Sequence, residues 1–501
     1  MSHSGSTDSG APASKIGRRG FLKATLVMGA AAAAPVGSSA QTQGAAAGNP
    51  ALGNEFVIRA GHILSMDGDV GDFASGEVHV KDGRIVAVGE NLSVAGIEAV
   101  DATDMIVMPG FVDSHSHLWN AFLRGSIRGD DPVRGYFPTT NRAAPLCTPD
   151  DASASARFGL LEALLSGTTC INNFCHNTRS VEHANAEIRA SIDLGVRTRF
   201  SYGTPGRGER LDTTGVEAVR KQWATGHPLI TVGVNLQTPA PDILKSGGDD
   251  DKFVAEARFA KELGLPISLH YGNTAHGLVA FMDKHDLLGP HILFIHTQGL
   301  TEEERNTLVA KNVQFSMSPA IEIPYSTVRN GYIQFAELEQ LGASLSLSVD
   351  ASSAMATADF FTVMRALQWS HKQRADVDRA LEPKRILEIA TLGGAKALGL
   401  DREIGSLTPG KKADIILVRK TDLNIAPVID PYFSLVFSGG ARNVDTVIVD
   451  GVLVVKSGQH VRVDGSDVVA KAEQAGRAMH EKLEHIIANT KESVEQLNKK
   501  G

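Results

Sequence analysis

Pro109-Gly110-Phe111-Val112-Asp113-Ser114-His115-Ser116-His117 is the stretch on which the reading of the chain turns. It completes an apolar run, and Ile106–His115 has the composition of a β-strand. Residues two apart on a strand project to the same side, so the imidazoles of His115 and His117 can face one point. Alone the H-x-H pair is weak evidence, because histidines at that spacing are often surface residues. What surrounds it decides its weight.

Downstream, short β-rich runs alternate with helical segments, the pattern of parallel strands joined by helical crossovers. After Ile106–His115 the expected strands are Thr168–Asn173, Arg197–Tyr202, Leu229–Asn235, Pro266–His270, Ile292–His296, Val313–Met317 and Ala343–Asp350. Asp151–Leu165, Lys252–Leu263 and Thr301–Lys311 read as helices, the last opened by a Thr301/Glu304 capping box. Eight strand–helix units predict a (β/α)₈ TIM barrel, in which functional groups gather at the C-terminal strand ends. His270 ends the fifth strand, His296 the sixth and Asp350 the eighth. Histidines and a carboxylate converging in this way are the signature of a metal site.

Working outward, residues 55–108 read as short strands with an Asp82-Gly83 hairpin turn, and the pattern returns over 401–465 with Asp450-Gly451. The two flanks are expected to form one small β-sandwich around a barrel spanning 109–400. Residues 466–501 read as a polar C-terminal helix. The 501 residues carry a formal net charge of −8 and no basic stripe beyond the N-terminus, which argues against nucleic acid or an anionic membrane surface as partner. Three cysteines, Cys147, Cys170 and Cys175, are too few for a zinc ribbon or a disulfide scaffold and read as small buried residues. A homo-oligomer is compatible with the sequence.

The first forty residues have the order of an export signal: a polar start, Arg18-Arg19-Gly20-Phe21-Leu22-Lys23, an apolar run Ala24–Val36 too short to span a bilayer, and Ser38-Ser39-Ala40. The arginine pair resembles a twin-arginine (Tat) signal, which implies the Tat export machinery as partner, a periplasmic location and cleavage after Ala40, leaving 41–54 as a flexible leader.

From Pro109 to His117, with the His270 and His296 strands, Ser348-Val349-Asp350 and the segment Ile389–Gly399, the chain resembles the amidohydrolase superfamily over nearly its whole length after the signal. It looks nearest to the group of cytosine deaminase and atrazine chlorohydrolase. That resemblance implies one divalent metal ion per chain, zinc first, with iron, cobalt or manganese also suited, held by His115, His117, His270 and Asp350, and His296 beside the reacting water. No lysine stands at the end of the fourth strand, Gly233–Gln237, where binuclear relatives carry one. A divalent ion lowers the pKa of water from about 16 toward 7. Asp350 then shuttles the proton and His296 polarises the reacting group.

The chain departs from the pattern twice. Deaminases of this branch carry His-x-x-Glu after the fifth strand, whose Glu serves a ring nitrogen; here it is His270-Tyr271-Gly272-Asn273, and an amide cannot do that work. After the seventh strand Ser316-Met317-Ser318-Pro319-Ala320-Ile321-Glu322 replaces the usual His-Asn-Pro, so Glu322 is either a substitute acid or a solvated loop residue. Both features look closer to molinate and phenylurea hydrolases. The expected reaction on a small-molecule substrate is therefore hydrolysis of an amide, carbamate or urea C–N bond. The alternatives are deamination or dechlorination of an N-heterocycle, and a non-catalytic ligand-binding barrel. Trp119, His176 and Asn273 are candidate substrate contacts, with a core role for Trp119 equally open.

Overall fold

The structure is a computed structural model that describes residues 52–498 apart from 130, 207–208, 225, 273–274, 297, 356 and 375–380. The segment expected to be a twin-arginine signal, most of the expected leader and Asn273 lie outside the described residues.

Strands β1 (Glu55–Ile63), β2 (Gly76–Lys81), β3 (Arg84–Gly89) and β4 (Glu98–Pro109) precede the barrel. The barrel strands are β5 (Phe111–Ser116), β6 (Thr168–Cys175), β7 (Arg197–Tyr202), β8 (Ile230–Asn235), β9 (Ile267–His270), β10 (Ile292–Ile295), β11 (Gln314–Met317) and β12 (Ser344–Leu347). They pair in chain order, all parallel. An isolated parallel bridge between Ser116 and Asp350 brings the last strand back to the first. This is the expected (β/α)₈ barrel. Helices such as Pro149–Leu165 and Glu302–Ala310 cover it, each opened by a full capping box, Thr148/Asp151 and Thr301/Glu304.

The flanking segments join as expected. β13 (Ile415–Arg419), β14 (Val444–Val449), β15 (Val452–Lys456) and β16 (Gln459–His460) extend β1–β4 into one eight-stranded sheet, with β13 antiparallel to β4. Phe56, Ile58, Val78, Ile415, Leu417 and Ile448 share an apolar core separate from the barrel's. Both Asp-Gly turns put two successive residues at positive φ (Asp82 48°, Gly83 75°; Asp450 53°, Gly451 77°), the tight hairpin geometry that this dipeptide favours.

One expected strand divides. Ile106–His115 breaks at Gly110, so that β4 serves the flanking sheet and β5 the barrel. A Cβ at Gly110 would lie 2.2 Å from the Thr169 side chain, and Gly110 N donates to the Asp414 carbonyl. At the break the chain is thus packed tightly against barrel strand β6 on one side and bonded to the flanking domain on the other. The domains are also clamped by Arg197 of β7, whose buried guanidinium donates to both carboxylate oxygens of Asp414 and to Asp450.

The barrel interior is unusually polar. Ser114, Ser316, Ser346 and Ser348 link hydroxyl to hydroxyl at 2.8 Å, and Asn172 donates to the Ser114 carbonyl and accepts from Ser201. These buried serines and Asn172 thereby find partners inside the barrel. The long helix Gly465–Asn498 packs Met479 and Leu483 against Phe122 and Leu123. The three cysteines are free and buried. Among the described residues no helix is long and apolar enough to cross a membrane.

Candidate metal centre

The ends of β5, β9, β10 and β12 bring four histidines and one aspartate together. The β5–β6 register slips between Asp113 and Ser116, a bulge of the kind that re-aims side chains beside functional sites. His115 Nε2 lies 3.3 Å from His270 Nε2 and 3.4 Å from Asp350 Oδ1; His117 Nε2 lies 3.2 Å from the same oxygen. Hydrogen bonds alone do not account for two imidazole nitrogens aimed at each other and at one carboxylate oxygen. The edges of a tetrahedron around zinc, with zinc–nitrogen distances of 2.0–2.1 Å, are about 3.3–3.4 Å. These separations fit such an ion, and His115 is common to two candidate donor groups, one with His117 and Asp350 and one with His270 and His296.

Electrostatics agree. Burial pushes His115 down to about 3, aided by neighbouring His117, and holds His270 well below the usual range. Neutral imidazoles are what a metal requires. Burial alone would raise Asp350, but its contacts with His115 and His117 outweigh it and keep the carboxyl well below the usual range. His296 and Asp350 are both left-handed, at φ 66° and 67°. A non-glycine residue held there is strained, and such strain collects at functional sites. Backbone bonds hold it in place, from His296 N to Ser316 O (2.9 Å) and from Asp350 N to His115 O (2.9 Å).

The next layer orients these groups. His117 Nδ1 donates to the Phe174 carbonyl (2.9 Å), leaving Nε2 for the centre. His176 stands beside it, its Nδ1 3.0 Å from His117 Nδ1. Buried Asp113 accepts from His115 N and Val349 N and ties the two strand ends together.

Glu322 is not a solvated loop residue. It lies in the first turn of the helix Pro319–Asn330 and is 1% exposed. Its Oε1 accepts from His296 Nδ1 (2.9 Å) and from Ser318 N (3.0 Å). His296 Nε2 is thereby turned toward Asp350 Oδ2, 3.7 Å away. Burial works against a charged His296, but the Glu322 hydrogen bond and the Asp350 and Glu322 charges together outweigh it and raise its pKa.

Trp119 is buried in the short helix Leu118–Leu123, its ring edge-on to His176 at 5.3 Å. It belongs to the barrel core. Sequence reasoning missed Tyr136. Its hydroxyl accepts from Asn120 Nδ2 (3.0 Å), and Asn120 Oδ1 accepts from Ser353 (2.9 Å). Burial, together with the nearby Asp350 charge, raises the phenol. Asn120 and Ser353 each lie three residues beyond a group of the centre, so Tyr136 is tied to both strand ends.

Sequence reasoning also missed Glu187, on the helix Val181–Leu194. Asn173 Nδ2 (2.6 Å) and Cys175 Sγ (3.2 Å) donate to its 1%-exposed carboxyl, and these two residues flank Phe174. Burial pushes Glu187 up from 4.5 to about 7. The folded state then binds more protons than the unfolded between those values, so stability falls as pH rises through that window. Glu187→Gln is expected to stabilise by on the order of 3 kcal/mol at pH 8 and by little at pH 5. Equal thermal midpoints of variant and wild type at pH 8 would contradict this.

A barrel with three histidines and an aspartate converging at its C-terminal strand ends is the architecture of a metal-dependent hydrolase. Residues 106–454 match the model of the amidohydrolase family, and the chain belongs to that family. It is 26% identical over 440 residues to a 5′-deoxyadenosine deaminase of Methanosarcina mazei, covering 85% of this chain and 98% of that protein. It is 29% identical over 442 residues to a 5-methylthioadenosine/S-adenosylhomocysteine deaminase of Pelotomaculum thermopropionicum, with 84% and 97% covered. Among solved structures it resembles a zinc-bound adenosine deaminase from Xanthomonas campestris (TM-score 0.74, 22% identity, 85% and 98% covered). It also resembles the zinc complex of atrazine chlorohydrolase from Arthrobacter aurescens (TM-score 0.73, 20% identity, 84% and 99% covered).

Proposed function

We propose that the protein is a metal-dependent hydrolase that cleaves the C–N bond of a small amide, carbamate or urea. His115, His117, His270 and Asp350 hold one divalent ion, with zinc, present in the two solved relatives, the first choice. The observation that carries the reading is the chain of donor separations through His115 and Asp350: His117 and His115 Nε2 lie 3.2 and 3.4 Å from one Asp350 oxygen, and His270 Nε2 lies 3.3 Å from His115 Nε2. When bound, the ion supplies a water that is acidic near neutral pH and a Lewis acid for the substrate oxygen. Asp350, through Oδ2, accepts the water's proton and returns it to the departing nitrogen. His296 donates from Nε2 to the oxygen that gains charge at the attacked carbon. Tyr136 borders the substrate.

Amide-type cleavage is preferred to ring deamination because Asn273 stands where the deaminases of the resembling group carry Glu, while Glu322 is engaged by His296. Glu322 is thus a positioning residue. Glu322→Gln is expected to lower kcat by about 10–100-fold with metal content unchanged, the usual effect of loosening a residue that orients an active-site histidine. An unchanged kcat would remove it from the reaction. Deamination is the second reading, favoured by the purine-nucleoside deaminases among the relatives. The test is to assay purified, zinc-loaded protein against amides, carbamates, ureas and aminated heterocycles. Ammonia released from an aminopurine, aminopyrimidine or aminotriazine faster than any amide-type substrate is cleaved would overturn the amide-type reading.

We infer from the Arg18-Arg19 pair and the apolar run after it that the protein is exported to the periplasm by the Tat route. Changing both arginines to lysine should retain folded protein in the cytoplasm. Unchanged export in a strain lacking the Tat translocase would sink the idea.

A further inference from the structure

Two buried arginines lie two apart on β7 and share the strand's inner face, yet their surroundings are opposite. Arg197 forks onto Asp414 and Asp450. Arg199, 6% exposed, has no carboxylate partner among the described residues. Its Nη2 donates to the Leu398 carbonyl, and its Nε is buried without a partner. Leu398 belongs with Val112, Cys170 and Leu293 to one apolar cluster of the barrel. On the neighbouring strand Thr231 stands opposite Arg199 in the parallel register, and its Oγ1 is also buried without a partner. Adjacent strands therefore present two unused donors, one of them charged, to the same part of the interior. It lies toward the strand starts, away from the metal centre.

A guanidinium keeps its charge in a protein interior. Burial lowers Arg199 only to about 10, so it is a cation at neutral pH. A buried charge without a counter-charge is strongly destabilising. We propose that Arg199 and Thr231 bind a small monovalent anion, a halide, at the floor of the barrel. The narrow exposure and apolar walls suit a compact, weakly hydrated monoanion rather than sulfate or phosphate. The site is independent of the reaction at the other pole.

The full-length protein is melted at constant ionic strength while sodium gluconate is replaced by chloride or bromide. The midpoint is expected to rise saturably by about 2 °C or more, as for any ligand bound only by the folded state. Arg199→Met should abolish the rise, melting higher than wild type in gluconate because the unpaired charge is gone, with the gap narrowing in chloride. Thr231→Val should weaken the rise and provides the test should Arg199→Met not fold. Crystals of the wild type soaked in bromide should show an anomalous peak between Arg199 Nε and Thr231 Oγ1. Equal midpoints in gluconate and halide with no bromide peak there overturn the proposal, and so does a larger rise in sulfate than in chloride.

Discussion

Asp350→Asn is expected to reduce turnover by about 10⁴-fold while leaving the protein folded. The fold should tolerate the change because asparagine, like aspartate, accepts the left-handed conformation, and φ at this position is 67°. The backbone bonds from Asp350 N to His115 O and from His117 N to Asp350 O do not involve the side chain. What disappears is chemical. An amide oxygen can still face the ion, but it carries no charge and cannot accept the proton of the water or return one to the leaving nitrogen. Positioned acid–base catalysis is worth about 10²–10⁴, and the weakened donor set adds to the loss. Steady-state rates read beside elemental analysis give the answer. A variant within tenfold of wild type would remove Asp350 from the proton path.

Dialysis against a chelator should abolish activity, and zinc should restore it at about one equivalent per chain. Of the three histidines proposed as ligands, His115 and His117 sit beside the Asp350 carboxylate and His270 sits beside His115, at separations that match a single ion. Burial keeps His115 and His270 unprotonated, so metal uptake near neutral pH displaces no proton from them. Removing the ion leaves nothing in the described chain to acidify water. Activity surviving in metal-free protein, or two tightly held ions per chain, would contradict this reading of the centre.

The parts of this arrangement legible in the sequence were those with local signatures. His115 and His117 share a strand end, His270, His296 and Asp350 each follow a short apolar run, and both Asp-Gly turns lie between strands. The break at Gly110 had no such mark, because Ile106–His115 is uninterrupted in composition and is divided by Thr169, a residue distant in sequence. Glu322 was ambiguous for a related reason. Its place in the first turn of a helix, with its carboxyl folded back onto His296, depends on where the helix begins. Tyr136 and Glu187 gave no sign. The first arrives from a long connection, and the second is a helix glutamate of the kind that usually faces solvent; only the packed fold shows that one meets Asn120 and the other is enclosed by Asn173 and Cys175. The polar barrel interior was likewise unexpected, since small serines on strands read as spacers until their hydroxyls are seen to meet.

The seam where β12 returns to β5 is sewn by one backbone bridge, Ser116 to Asp350, helped by side-chain bonds from Ser114 to the Leu347 carbonyl and from Val349 N to Asp113. His115 and His117 lie on one side of that seam and Asp350 on the other, so an ion held by all three acts as a rivet across the joint. Shutting the cylinder and loading the cofactor become one thermodynamic event, and each should report on the other. Hydrogen exchange should see this without any substrate. In metal-stripped protein the amides of Ser348–Asp350 and His115–His117 should lose protection before those of β7 and β8, on the far wall, where each strand is paired on both sides.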